Sequence, residues 1–322
     1  MTHHTPRHIT QGLWLGLLGI VIFSLTLPMT RMAVGTPEAP QMSGLFIAMG
    51  RAVVAAVLSA GFLVLTRAPL PRRADWLPLT ITSAGVVFGF PLFTSIAMRY
   101  VQAMHASVIV GILPLATAAV GALLHRQRPS TGFWICAALG SALVAVFAVM
   151  HGGATAATTT TGVTVHGADL LLAAAMLCAA VGYGYGARLS QRMQAEHVIC
   201  WALLMALPLT LPLAAHDWPT APLQHSAWWG FAYVAVFSMW LGFFAWYRGL
   251  ALGGTVRVSQ VQLVQPFLSM LMAVPLLGEK LDAVTVGFGV AVIATVFIGK
   301  KMPVSQPTIS DIKSSGLQAH NS

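Results

Sequence analysis

The chain has 322 residues, 57% of them hydrophobic and only 8% charged, with a formal net charge of +9 and a mean hydropathy of +0.78. Such usage lies far from that of soluble globular domains, which excludes a soluble enzyme or binding module. Apolar stretches of about 20 residues, each long enough to cross a hydrocarbon core, recur almost end to end. No alternating barrel pattern appears, so the spans are read as helices.

In chain order, a polar tail over residues 1–11 carries His3, His4 and His8 and is expected to be unstructured. Ten spans follow: Gly12–Ala33, Leu45–Thr66, Leu77–Met98, Met104–Leu124, Gly132–Met150, Asp169–Leu189, Val198–Ala215, Ala227–Tyr247, Val256–Leu277 and Ala283–Gly299. The first is read as a retained helix rather than a signal peptide because of its length and its place in the charge alternation. The uncharged stretch from His151 to His166, with its Thr158–Thr161 run, is a linker. Residues 301–322 form a polar tail expected to be disordered. The fold expected is all-α and polytopic, with five-helix units at 12–150 and 167–300. An odd number of spans per unit makes the two units inverted repeats.

Charge placement supports this threading. From a cytoplasmic N-terminus, Arg7, Arg67, Arg72, Arg73, Arg126, Arg128, Arg188, Arg192, Arg248, Arg257, Lys300, Lys301 and Lys313 fall on the inner side. Only Arg31, Arg99 and Lys280 fall outside. The basicity therefore sets orientation rather than binding nucleic acid, and the expected location is a cell inner membrane with both termini cytoplasmic. Cys136, Cys178 and Cys200 share no metal or redox spacing, so neither a metal nor a cofactor is expected. The partners expected are a small-molecule solute and the lipid bilayer. The sequence leaves open whether the protein is a monomer or a homo-oligomer.

One helix is written twice. Aligning Met104–Leu115 with Val256–Phe267 superimposes Ser107 on Ser259, Pro114 on Pro266 and Thr117 on Ser269. Proline within an apolar helix removes a backbone hydrogen bond and displaces a carbonyl. Paired interruptions of this kind in two halves point to a transporter's binding site. Ser259, Gln262, Pro266 and Ser269 recur at helical spacing on one face. The hydroxyls either satisfy freed carbonyls and glue helices together or line the solute path, as Gly111 and the two prolines would. Gln262 and Gln265 are amides in an apolar span, and a cavity would supply their partners. Val110 stands where Gln262 does, which makes the pocket lopsided. Phe23, Phe90, Tyr183 and Trp240 are mid-span aromatics, with packing and pocket roles both open. Trp14, Trp76, Trp218, Trp228 and Trp229 read as an interfacial belt.

No Asp or Glu lies near a span centre, whereas Arg51 lies within one. It would snorkel, fix a helix end or meet an anionic solute group. His105, at a helix start, reads as structural. Gly182, Gly184 and Gly186 lie in an apolar span with no preceding strand, so a phosphate loop is excluded. Close packing or a local bend remains for them.

Several local runs resemble the EamA-type members of the drug/metabolite transporter superfamily. These are Gly50-Arg51-Ala52-Val53-Val54 opening the second span, Ala97-Met98-Arg99-Tyr100, Gly111-Ile112-Leu113-Pro114, Gln265-Pro266 and Leu277-Gly278-Glu279-Lys280. The resemblance covers roughly Gly12 to Lys300. It implies a multipass carrier, often an exporter of amino acids or related metabolites, with a midplane cavity between the first, third, fourth, sixth, eighth and ninth helices. The first unit departs from the family pattern in having Gln127 where Glu279 stands in the second. An uncharged cavity fits a neutral or zwitterionic metabolite moved by alternating access. A proton-coupled multidrug exporter, which would need a buried carboxylate, is the alternative within the superfamily. A membrane-embedded enzyme lacks a convergent catalytic set, and nothing calls for a non-transporting receptor.

Overall fold

The structure, a computed structural model, describes residues 6–124, 128–152, 165–253, 258–301 and 304–305. His3, His4, Gln127, Val256, Arg257, most of the linker and nearly all of the C-terminal tail lie outside the described residues, as does the side chain of Ser259. Among the described residues the chain is helical, apart from turns and a two-residue antiparallel pairing of β1 (Arg128–Pro129) with β2 (Val304–Ser305).

The helices follow the hydropathy closely. We number them α1 (Pro6–Ser24, then Thr26–Val34), α2 (Gly44–Leu65) and α3 (Trp76–Ser83, then Ala84–Gly89 and Phe90–Ala97). Next come α4 (Ala103–Val110, then Leu113–Leu124), α5 (Thr131–Gly152), α6 (Val165–Leu189) and α7 (Ala195–His216). The last three are α8 (His225–Tyr233, Val234–Leu241 and Gly242–Gly253), α9 (Ser259–Val264, then Gln265–Leu277) and α10 (Ala283–Lys301). Seven stretches, in α1 to α4 and α6 to α8, are long and apolar enough to cross a membrane, whereas those in α5, α9 and α10 are shorter. Large apolar side chains such as Val64, Leu65, Leu123, Leu170 and Leu177 stand exposed on the outside. That pattern suits a lipid solvent and no aqueous one. Trp14, Trp76, Trp218, Trp228 and Trp229 are also exposed, as a belt requires.

Five of the helices change geometry along their length, and the sequence indicated only some of these changes. The first breaks at Leu25 and the fourth at Gly111–Ile112, while α9 passes from a 3₁₀ stretch into an α-helix at Gln265. In α3 and α8 the middle segments, Ala84–Gly89 and Val234–Leu241, are wound as π-helix. Pro114 and Pro266 correct the expectation drawn from them. Each is the second residue of the segment that follows the interruption. The first four N–H groups of a helix have no intrahelical partner, so proline there forfeits no hydrogen bond. The prolines mark restarts, not kinks.

Glycines set the closest helix contacts. Gly12 and Gly16 of α1 face Gly249 and Gly253 of α8, and a Cβ on Gly249 would lie 2.7 Å from Gly16 N and 2.9 Å from Gly12 O. Between α3 and α6, a Cβ on Gly85 would stand 2.9 Å from Gly182 N. Small residues at a four-residue period let backbones approach, and that is what holds helices together in lipid. The glycines of the Gly182–Gly186 run meet close neighbours from α3, α4 and α8 within a continuous α6. Elsewhere α2 packs on α7, α4 on α9 and α6, α5 on α10, and α1 on α9 as well as α8. A Gly249→Val substitution is expected to destabilise the protein by roughly 1–3 kcal/mol through overpacking. Gly61→Val, where nothing lies within 4 Å of the added carbon, should stay within about 0.5 kcal/mol. Thermal unfolding of the purified variants checks the contrast.

Candidate functional site

Irregular helix is costly among apolar neighbours, because each freed backbone group must find a partner. The break in α1 shows how this is met. Ser24 Oγ donates to Val21 O at 2.7 Å, Tyr233 Oη to Ile22 O at 3.0 Å, and Ser269 Oγ to Ser24 O at 2.7 Å, while Met29 N reaches Leu25 O at 3.0 Å. Hydroxyls from α8 and α9 thus satisfy the end of the first segment of α1. In α4, Ser107 Oγ and Thr117 Oγ1 donate to the carbonyls four residues earlier, Ala103 O at 2.7 Å and Leu113 O at 2.8 Å. A side chain at Gly111 would come within 3.7 Å of Pro266 Cγ, so the interruptions of α4 and α9 abut.

These irregular points converge on one internal crevice. Its walls are Phe23 and Thr26 on either side of the α1 break, Arg51 of α2, Val86 and Phe90 of α3, Leu113 of α4, Tyr183 of α6, Ser238 and Phe243 of α8, and Gln265 of α9. The cavity among them is about 10 Å³, room for roughly one water. Aromatic rings fill the rest. Phe23 meets Phe243 edge-on at 5.1 Å, and Tyr183 lies 6.0 Å from Phe243 and 5.9 Å from Trp246. The polar strip runs from Arg51 Nη2 to Ser238 Oγ at 2.9 Å and on to Thr26 Oγ1 at 2.8 Å. Arg51 is 2% exposed, so it does not snorkel, and the expectation of an uncharged cavity is corrected. The charge was visible in the sequence, but not its direction.

Of the other expected site residues, Phe23, Phe90, Tyr183 and Gln265 all line the crevice. Trp240 does not; it packs against Phe62 at 6.2 Å and Phe244 at 4.9 Å. Gln262 is buried but does not line the crevice, and neither amide atom has a partner among the described residues. Ser107, Gly111, Pro114, Thr117, Pro266 and Ser269 are buried in α4 and α9 and do not line the crevice, and only the backbone of Ser259 is described. Thr26, Ser238 and Phe243 line the crevice and escaped the sequence reading. A hydroxyl alone in an apolar run was the available sign for Ser238.

One end of the bundle is tied shut. Gly278 adopts a left-handed φ of 68° and ends α9, a conformation that glycine takes at little steric cost. The chain then turns so that Glu279 Oε1 and Oε2 accept from Ala103 N at 2.7 Å and Met104 N at 2.8 Å. The carboxylate caps the positive end of α4. Beside it Arg31 donates to Met98 O and Arg99 O at 2.5 and 2.6 Å, and Arg99 to Met42 O at 2.6 Å. Just inside, His105 Nε2 and Asp169 Oδ1 lie 2.6 Å apart, both buried, and join α4 to α6.

Comparison with known proteins agrees with this architecture. The model of the EamA-like transporter family matches twice, over residues 10–150 and 166–299. A relative from Bacillus subtilis (strain 168), described as the uncharacterized transporter YdeK, is 41% identical over 294 residues, which cover 91% of this chain and 98% of that protein. A solved crystal structure described only as that of a protein shares 18% identity at a TM-score of 0.59 and covers 90% of this chain and 96% of its own, a likeness of fold. With the double match spanning nearly its whole length, the chain belongs to the EamA-like transporter family and is a multi-pass membrane transporter.

Proposed function

We propose that this protein is a bacterial inner-membrane carrier with ten spans, arranged as two inverted five-helix repeats that rock about the crevice by alternating access. The observation that carries the reading is the convergence of five irregular helices on one closed space. Backbone irregularity at membrane depth is tolerated where it lines a cavity, and it marks the binding region of carriers with repeated halves. Three further features support the repeat. The π segments fall in α3 and α8, the abutting interruptions in α4 and α9. The family model matches once in each half. Many of the helix contacts also map onto one another when each helix is exchanged for the one five places away: α1–α8 becomes α6–α3, and α1–α9 becomes α6–α4.

The charge map assigns the Glu279 end to the outer side, with both termini cytoplasmic. The conformation is then closed outward, with its crevice contracted. The solute is a small metabolite, an amino acid or related compound, and the direction is export. Buried Arg51 and the lack of any Asp or Glu in the crevice wall argue against a multidrug exporter that takes cations, and the family argues against an enzyme.

In proteoliposomes the purified protein is expected to exchange internal for external radiolabelled amino acids, and Gln265→Ala to slow that exchange. Exchange no faster than in protein-free liposomes for every amino acid would sink the amino-acid reading. Closure has its own test. Glu279→Ala removes both acceptors at the start of α4, at a cost of roughly 1–2 kcal/mol, which shifts the population some 5–30-fold toward outward opening. A cysteine placed at Thr26 should then react faster, by that order, with an impermeant maleimide added outside. An unchanged rate would remove Glu279 from the gate.

A further inference from the structure

The buried guanidinium has no counter-ion within the described protein. Of the eight acidic residues in the chain, six are engaged elsewhere. Asp75 faces Arg192, Asp169 pairs with His105 and Glu196 with Arg248. Asp217 joins Ser43 in capping α2, Glu279 caps α4, and Asp282 bonds Thr285. Glu38 stands exposed in the loop after α1, and Asp311 lies outside the described residues. Arg51 itself has one neutral acceptor, Ser238 Oγ, and its buried Nε has no partner. Taking a charge out of water without a charged partner is heavily unfavourable, and one neutral hydroxyl bond offsets little of that cost. A charge kept under such conditions, in the wall of a crevice, is a charge kept for a ligand.

We propose that Arg51 is the anchor for a carboxylate group on the transported solute, with the hydroxyls of Thr26 and Ser238 beside it and the Phe23, Phe90 and Phe243 rings receiving an apolar body. The proposal rests on the carrier reading and narrows its substrate class. A planar guanidinium presents a fork of donors that matches a carboxylate. A single guanidinium with hydroxyl neighbours suits one negative charge and leaves a phosphate dianion half neutralised. No acidic side chain lines the crevice, so an ammonium group finds only neutral acceptors, such as the Gln265 amide oxygen. The carboxylate is therefore the group that the site recognises, and the amine is tolerated. In the contracted crevice the rings occupy the space, and a solute enters as Phe23 and Phe243 part.

The test uses the purified full-length protein in detergent and four probes: leucine, 4-methylpentanoate (leucine without the amine), 3-methylbutylamine (leucine without the carboxylate) and inorganic phosphate. A ligand that binds only the folded protein raises its melting temperature. Leucine and 4-methylpentanoate are expected to do so, and the amine and phosphate not. In Arg51→Lys the apparent affinity for the acids should fall about tenfold or more, since a bidentate charged contact is lost. In Arg51→Met the acids should have no effect, while the ligand-free protein melts higher than wild type because the unpaired charge is gone. Stabilisation by the amine equal to that by the acids, or unchanged affinity in Arg51→Lys, would overturn the proposal. So would a ligand-free Arg51→Met protein that melts lower or does not fold, since the arginine would then be structural. Parallel exchange assays separate the two readings. Exchange of amines without carboxylates removes the anchor and keeps the carrier, and exchange of no solute at all removes both.

Discussion

A backbone buried among apolar side chains has to satisfy its own polar groups, and the architecture follows from where this chain declines to do so within a single helix. Five helices break or change winding, and their irregular segments meet at one place. The freed groups at the α1 break are met by Ser24, Tyr233 and Ser269, so the irregularity is supported from α8 and α9. Disturbing one helix there withdraws partners from another. The crevice is thus a junction of mutually dependent interruptions rather than a gap left by imperfect packing.

Rigid contacts lie to either side of that junction. Gly12 and Gly16 against Gly249 and Gly253 bring α1 and α8 to backbone contact, and Gly85 against Gly182 does the same for α3 and α6. Each pair takes one helix from each half of the chain, so the halves are interleaved. Where the pairs meet, the contacts are between aromatic rings, such as Tyr183 of α6 with Phe243 and Trp246 of α8. These separate and re-form at smaller cost than backbone packing.

Much of this was legible in the sequence. Hydropathy marks the helical units, the repeated Ser–Pro–hydroxyl pattern marks the interruptions of α4 and α9, and Phe23, Phe90, Tyr183, Gln265 and Arg51 stand out by their mid-span positions and line the crevice. What escaped reading has a physical reason in each case. A π-helical stretch such as Val234–Leu241 carries no breaker residue, because the extra residue is accommodated by the packing around it. The GxxxG pairs at Gly12 and Gly249 are common in apolar text, and only proximity distinguishes a contact face from a lipid face. Trp240 and Phe243 are three residues apart on one helix, and the crevice takes the second. The prolines announced an interruption correctly, yet their geometry differed, because the chain stops before Pro114 and Pro266 and restarts through them.

The Glu279 cap has a consequence for how the protein is made. The backbone groups it satisfies, at Ala103 and Met104, lie 176 and 175 residues earlier in the chain. At a synthesis rate of about 5–20 residues per second, the start of α4 waits on the order of 10–35 s after emerging before its acceptor exists. Until then that positive helix end lacks its carboxylate, and until residue 238 has been made Arg51 lacks the hydroxyl of Ser238. The cap of α4 therefore forms only once the second half of the chain has been made.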